Sequence, residues 1–477
     1  MTIGEASGGA WNFSKTGEKM KKSALPLLFF LLMFTGTAFA AAEGFENVKE
    51  YMLDNGLKVL LLEEHKAPVA VFQIWYKVGS RYEQYQEAGI SHMLEHMMFR
   101  GSKKYGPKMF SRIVQKYGGN DNAFTSQDYT AYFQTFASDR IWLSLDLESD
   151  RMHDLLLKNK AFQEERKVVA EERRMRTDND PDAVLGEQTQ AAAYVLHPYH
   201  WPIIGWMDTI KHFTIEDVRR HYHDFYEPNN ATVVIVGDIN ADKMIKQIKH
   251  YFGPIKKGPE PPKVFVKEPV QQGERRVYVK KQAELPSIDI IYHTPNLKDP
   301  DTYALDVLEA VFSAGKSSRL YHDLVYEKQI AQYADADYEG TTKDPETFSF
   351  SAGVMPGKTA DEVEKAIYQE IEKIQKEPPS AKEMQKAKNQ IEASFIMAQD
   401  SDFYRAMLLG QYESVDTWKL LNTYLDNIKK VTAEDVQRVA KKYLVSDNRT
   451  VGTLIPLPIP KGKKLMPMPS GPGGAIQ

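Results

Sequence analysis

Thr214-Ile215-Glu216-Asp217-Val218-Arg219-Arg220 returns 218 positions later as Thr432-Ala433-Glu434-Asp435-Val436-Gln437-Arg438. Both stretches open on a Thr with an acid three residues on, the pattern that caps a helix start. The same offset places Asn230, Thr232 and Val233 on Asn448, Thr450 and Val451, Pro68 on Pro286, and the apolar run Val69 to Ile74 on Ser287 to Tyr292. Shared composition does not produce one offset in segments this far apart. The chain therefore reads as an internal duplication, two copies of one unit. Within a copy the strands cluster instead of alternating strictly with helices, which makes the fold class α+β.

Length agrees, because 477 residues exceed one ordinary core and suit two domains of about 200 residues each. The first domain is expected over residues 45–257. Gly258-Pro259-Glu260-Pro261-Pro262 opens a linker over 258–268, and the second domain covers 269–456. From 457 to 477 Pro, Gly and Lys dominate, and disorder is expected. With 42% hydrophobic and 26% charged residues the composition is that of a soluble globular protein. A net charge of −4 supplies no basic field for nucleic acid or an anionic membrane surface. The chain has no Cys, which excludes disulfides and thiolate metal ligands.

The N-terminus reads as an address. Met20-Lys21-Lys22 is a positive n-region, Ala24 to Phe34 an apolar core, and Ala38-Phe39-Ala40 a small-x-small cleavage signal. Residues 20–40 are thus expected to be a secretory signal cleaved near Ala40, placing the mature protein in the periplasm or outside the cell. The apolar run is too short to serve as a stable membrane anchor. Residues 1–19 fit no part of a signal, leaving Met1 and Met20 as alternative starts. Removing residues 1–40, with four Lys and two Glu, leaves a charge of −6.

In the first copy, strands are expected from Lys49 to Leu53 and Lys58 to Glu63 around the turn Asp54-Asn55-Gly56, then from Val69 to Val78. A helix around Lys108 to Lys116 and a strand from Asn122 to Phe136 follow. Long helices are expected from Arg140 to Leu157 and from Gln163 to Arg176, the second closed by Asp178-Asn179-Asp180-Pro181. Ala231 to Val236 is an apolar strand.

The chemistry concentrates in Gly89-Ile90-Ser91-His92-Met93-Leu94-Glu95-His96-Met97-Met98-Phe99-Arg100-Gly101. No Pro or β-branched run interrupts His92 to Phe99, and Gly101 is a natural stop, so the stretch reads as a helix. His92 and His96 then lie one turn apart on one face, with Glu95 beside them. Two neutral imidazoles at this spacing suit Zn²⁺, and a carboxylate beside the open coordination position can accept a proton from water there. The order is H-x-x-E-H, the inverse of H-E-x-x-H. In the second copy a four-residue slip aligns Leu94-Glu95-His96 with Leu308-Glu309-Ala310, and Asp306 stands in place of the first His. That copy cannot form the same site, so one zinc per chain is expected, in the first domain.

A catalytic zinc usually takes three protein ligands. The helix expected from Gln163 onward offers Glu165 and Glu172, seven apart and on one face. With these residues the chain resembles the pitrilysin/insulinase family of inverted-motif zinc peptidases. The likeness is strongest to the short, two-domain branch that includes bacterial relatives of the mitochondrial processing peptidase. Gly118-Gly119 before Asn122-Ala123-Phe124-Thr125, Asp150-Arg151-Met152, His197-Pro198-Tyr199, Pro228-Asn229-Asn230-Ala231 and Ser317-Ser318-Arg319-Leu320 fall in the family's order, and the likeness runs from about Val48 to Ile455.

The resemblance implies two mainly antiparallel sheets covered by helices, facing each other as half-shells. It implies zinc held by His92, His96 and Glu172, Glu95 as general base, and Glu165 supporting the ligands from behind. Asn122, Ala123 and Phe124 would receive an extended peptide substrate along a strand edge, with Tyr333 contacting it from the second domain. The activity so implied is zinc-dependent endopeptidase action on extended peptides or unfolded segments, outside the cytoplasm. In one place the sequence departs from the family: an Arg and a Tyr seven apart are expected in the second domain, and here Tyr326 stands at the Arg position while Tyr333 fits. A neutral phenol cannot act as a guanidinium. A homo- or heterodimer is therefore expected, with a motif-less homologue carrying the Arg/Tyr pair favoured as partner. The alternative is a non-catalytic structural or peptide-binding subunit of a heteromeric complex.

Overall fold

The computed structural model describes residues 44–460. The signal-like segment, the extension before it and the tail beyond 460 lie outside the described residues. Among the described residues eleven strands form two sheets: β1 (Lys49–Met52), β2 (Lys58–Glu63), β3 (Val69–Tyr76), β4 (Asn120–Thr125), β5 (Thr130–Ala137) and β6 (Ala231–Gly237) in the first, and β7 (Arg275–Gln282), β8 (Ser287–Thr294), β9 (Ala331–Tyr338), β10 (Glu346–Val354) and β11 (Arg449–Leu457) in the second. The first sheet runs β1-β2-β6-β3-β5-β4 and the second β7-β11-β8-β10-β9. Without β1 the two orders correspond strand for strand. The one parallel pair recurs as well, β2 with β6 and β7 with β11. The duplication read from one sequence offset is thus a duplication of topology, in two α+β half-shell domains.

Differences from the expected elements are local. The strand expected from Asn122 to Phe136 is a hairpin of β4 and β5, turned at Ser126-Gln127-Asp128-Tyr129, where Ser126 Oγ accepts from the N–H groups of Asp128 and Tyr129. β3 is not the neighbour of β2, since β6 lies between them. β11 extends to Leu457, the first residue of the segment expected to be disordered. Asp180-Pro181 starts a helix instead of only stopping one. Asp180 caps Pro181–Ala193 by accepting from the N–H groups of Asp182 and Ala183, with Pro181 at the first position, where its missing N–H costs nothing.

That helix explains how the halves are joined. Along β2, Val59 and Leu61 face the core of their own half, while Leu60 and Leu62 face a second cluster with Ala406, Leu409, Trp418 and Leu421 from the other half. β3 and β6 alternate in the same way, with Phe72 and Ile74, and Val233 and Ile235, on one side, and Val71 and Trp75, and Val234 and Val236, on the other. A sheet apolar on both faces needs cover on both. The second half supplies it with the helix Asp402–Val415, which lies across β3 and β6. The first half reciprocates, laying Pro181–Ala193 across β7, β8 and β11, where Leu185 packs on Val279 and Leu454.

Part-buried polar contacts fasten the exchange. Arg405 donates to Glu64 at 2.9 Å, and Lys58 pairs with Glu413 at 2.7 Å. Arg81 Nε donates to Asp344 Oδ2 at 2.6 Å, and His197 Nε2 lies 3.0 Å from the same oxygen. Burial works to raise the Asp344 pKa, but His197 and Arg81 outweigh it and hold the carboxyl at about 2, against an ordinary 3.8. Because the folded value is the lower one, this stabilisation is present above pH 4 and is lost as pH falls through 2. The shift corresponds to about 2 kcal/mol. Urea unfolding between pH 4 and 2 should therefore show a loss of that order, smaller in Asp344→Asn. An unchanged acid slope in the variant would assign the acid sensitivity elsewhere.

Candidate metal centre

The motif stretch forms the helix Ile90–Met97, with Met93, Leu94 and Met97 buried in the first-half core. This packing turns His92, Glu95 and His96 away from the core, towards the helix Asn159–Arg173 that carries Glu165 and Glu172. On that helix Phe162 and Val169 are the buried anchors.

Three ligand atoms converge. His96 Nε2 lies 3.3 Å and His92 Nε2 3.9 Å from Glu172 Oε2, and one ligand atom from each residue lies within 4.8 Å of the others. Among the described residues this is the one such group of His and acid side chains. The remaining atoms of two members are held from behind. His96 Nδ1 is 3.1 Å from Glu165 Oε2, and Arg176 lies 3.0 Å from Glu172 Oε1. Arg100 in turn contacts Glu165. His92 differs, for its Nδ1 is buried with no hydrogen-bond partner among the described residues.

The electrostatics suit a cation. Glu172 is pulled down to about 2 by its contact with His96, an effect that burial opposes and His92 reinforces. Burial, then the neighbouring His96, pushes His92 down to about 3, so its imidazole is neutral and free to coordinate. Two neutral imidazole nitrogens and one carboxylate oxygen are a donor set for catalytic zinc. The residues present therefore fit the ion implied by the sequence.

Glu95 is the fourth polar group. Burial raises its pKa, against the hydrogen bond from Thr125 Oγ1 to Oε2 at 2.5 Å. Thr125 ends β4, the edge strand of the first sheet. On that edge Asn122 Oδ1 accepts the Ala123 N–H at 2.9 Å. Phe124, on the opposite face of the strand from Thr125, has its ring 5.5 Å from Trp75 in the cluster between the halves. Tyr333 lies exposed on β9, the edge of the second sheet, against Gly353. Tyr326 stands exposed on the turn Tyr321–Glu327 beside His322. Neither tyrosine belongs to the metal-ligating group.

Thr125, Arg100 and Arg176 carry no role that the sequence alone reveals. Thr125 ends the quoted stretch Asn122–Thr125, and Arg100 precedes the Gly101 that closes the motif stretch. Arg176 follows Glu172 by four, the spacing of helical ion pairs, on the wide turn Arg174–Asp178 that succeeds the ligand helix.

Comparison with known proteins is consistent along the chain. Residues 58–205 match the family described as Insulinase (Peptidase family M16), and residues 212–391 match the Peptidase M16 inactive domain. A Helicobacter pylori protein named zinc protease PqqE is 36% identical over 439 residues, covering 91% of this chain and 99% of that protein. The crystal structure of a protease from Helicobacter pylori superposes with a TM-score of 0.83 at 36% identity, over 86% of this chain and 99% of the other. A chain of complex III from Candida albicans shares the fold at a TM-score of 0.74 and 16% identity, over 85% of this chain and 95% of its own.

Proposed function

Since the chain belongs to the pitrilysin/insulinase peptidase family, we propose that it is a zinc-dependent endopeptidase acting on extended peptides or unfolded segments outside the cytoplasm. The observation that carries this reading is the meeting of His92 Nε2, His96 Nε2 and Glu172 Oε2 from two helices, with Glu95 alongside. His92, His96 and Glu172 would hold the ion. When bound there, zinc supplies Lewis acidity towards a carbonyl oxygen and lowers the pKa of water.

The chain's own residues do the rest. An extended peptide adds to the open edge of β4 by main-chain hydrogen bonds, replacing Asn122 Oδ1 as the acceptor for the Ala123 N–H. Recognition through the main chain tolerates varied side chains. Thr125, at the end of that strand, holds the Glu95 carboxylate, so the base and the peptide track share one support. Glu95 takes the proton of the attacking water and passes it to the leaving amine, and its raised pKa suits both transfers. Glu165 keeps His96 in the tautomer whose Nε2 is free.

Among the described residues the second half builds no equivalent centre, and in the alignment of the two copies Asp306 and Ala310 stand at the positions of His92 and His96. Tyr326 places no fixed cation near the substrate track. Full activity accordingly draws on a second chain of this fold bearing the Arg/Tyr pair. Among the described residues no helix is long and apolar enough to cross a membrane.

The test is a peptide-library digest by the purified protein, with chelator and after zinc is restored. Cleavage that stops with chelator and returns with about one zinc per chain is expected. Cleavage indifferent to chelator would refute the metal reading.

A further inference from the structure

The motif helix lacks a cap of its own. Its N-cap is Gly89, with φ +97° and no side chain to offer. A Cβ at Gly89 would lie 2.5 Å from Ile204 O and 2.7 Å from Gly205 Cα, so no residue with a capping side chain fits. The first N–H groups of the helix need an acceptor from elsewhere. Glu83 reaches them from the preceding loop. Gly89 N–H donates to Glu83 Oε2 at 2.6 Å, and Ser91 N–H to Glu83 Oε1 at 2.8 Å. Glu83 is 5% exposed, and Ser91 Oγ lies 3.0 Å from His221 Nε2, tying the same turn to the helix Ile215–Phe225.

His92 is the next residue, and it depends on that turn more than the other two ligands depend on their backbones. His96 is oriented by Glu165 and Glu172 by Arg176. His92 Nδ1 has no such partner among the described residues, so its ring is aimed by the backbone that carries it. We infer that Glu83 is a positioning residue for the metal centre, fixing the first turn of the motif helix so that His92 Nε2 faces Glu172. The inference rests on the zinc reading above. A carboxylate meets the requirement because each of its two oxygens accepts from one backbone N–H of the turn. A carboxamide keeps one oxygen and turns an NH₂ group towards a backbone N–H.

The experiment compares wild type, Glu83→Gln and Glu83→Ala, with Glu87→Gln as a control on the same loop. Zinc affinity is read by competition with a chelating dye, and amide hydrogen exchange across residues 89–96 is read on the metal-free proteins. Both Glu83 variants should bind zinc about 10- to 100-fold more weakly. Their Gly89 and Ser91 amides should exchange faster, the loss of kcat/KM should be recovered at saturating zinc, and Glu87→Gln should match wild type. Wild-type zinc affinity in folded Glu83→Gln would overturn the proposal, even if its Tm falls. If neither variant folds, wild type still decides: unprotected Gly89 and Ser91 amides overturn the proposal, and protected ones support it. Wild type that binds no zinc overturns the positioning role together with the zinc reading. Zinc-binding wild type with unaffected variants overturns the positioning role alone.

Discussion

Glu95→Gln should retain zinc at wild-type affinity and hydrolyse peptides about 10²- to 10⁴-fold more slowly, the range that a positioned general base contributes. The side chain is isosteric and can still accept from Thr125 Oγ1, so the local structure is preserved and only the proton acceptor is removed. Because Glu95 lies outside the triplet of ligand atoms, zinc content is the internal control. The check is zinc stoichiometry and kcat on one preparation. Wild-type turnover would remove Glu95 from the chemistry. A joint loss of metal and activity would make it a ligand in place of a base.

The second large effect is on stability. Gly410 lies on the crossing helix Asp402–Val415 directly over Trp75, and a Cβ there would sit 2.0 Å from the indole Cε2. The indole cannot retreat: Trp75 is fully buried, and its Nε1–H donates to Gln73 Oε1 at 3.0 Å. Gly410→Ala should therefore cost about 1–3 kcal/mol through overpacking, despite the roughly 1 kcal/mol that Ala gains over Gly in a helix. The opposite crossing has the same close fit, since a Cβ at Gly452 would lie 1.9 Å from Thr189 Oγ1. Each sheet borrows a covering helix from the other half, so both halves should unfold in one transition. Urea unfolding followed by tryptophan fluorescence and circular dichroism checks both points. Separate transitions, or a neutral Gly410→Ala, would mean that the halves are not interlocked as described.

The sequence carried the duplication clearly because both copies kept the capped helix and the strand after it at one spacing. Thr214 and Thr432 each form the reciprocal capping box their sequences announce. The exchange of helices was not legible. Asp180-Pro181 fits the end of one helix and the start of another equally well, and what decides is the distant sheet on which Pro181–Ala193 lands. The hint lay in β2, β3 and β6, which are apolar at nearly every position and so require cover on both faces, though nothing local says what covers them. The β4–β5 turn is not legible in the sequence, because Ser126-Gln127-Asp128-Tyr129 contains neither Gly nor Pro and is held by a serine hydroxyl.

At the candidate site, one-turn spacing made His92, Glu95 and His96 readable from residues alone. Glu172 was one of two acids on a helix face until the family likeness separated it from Glu165, and the structure puts the two on different atoms of the same centre. Thr125 and Glu83 act across breaks in the chain that no spacing rule spans.

The measurement that bears most directly on the central claim is a crystal structure of zinc-loaded protein, with anomalous diffraction recorded on either side of the zinc edge. The account predicts one zinc peak per chain, about 2.0–2.2 Å from His92 Nε2, His96 Nε2 and a Glu172 carboxylate oxygen. A peak elsewhere, or a Glu172 carboxylate turned away from the two imidazoles in the loaded protein, would contradict it.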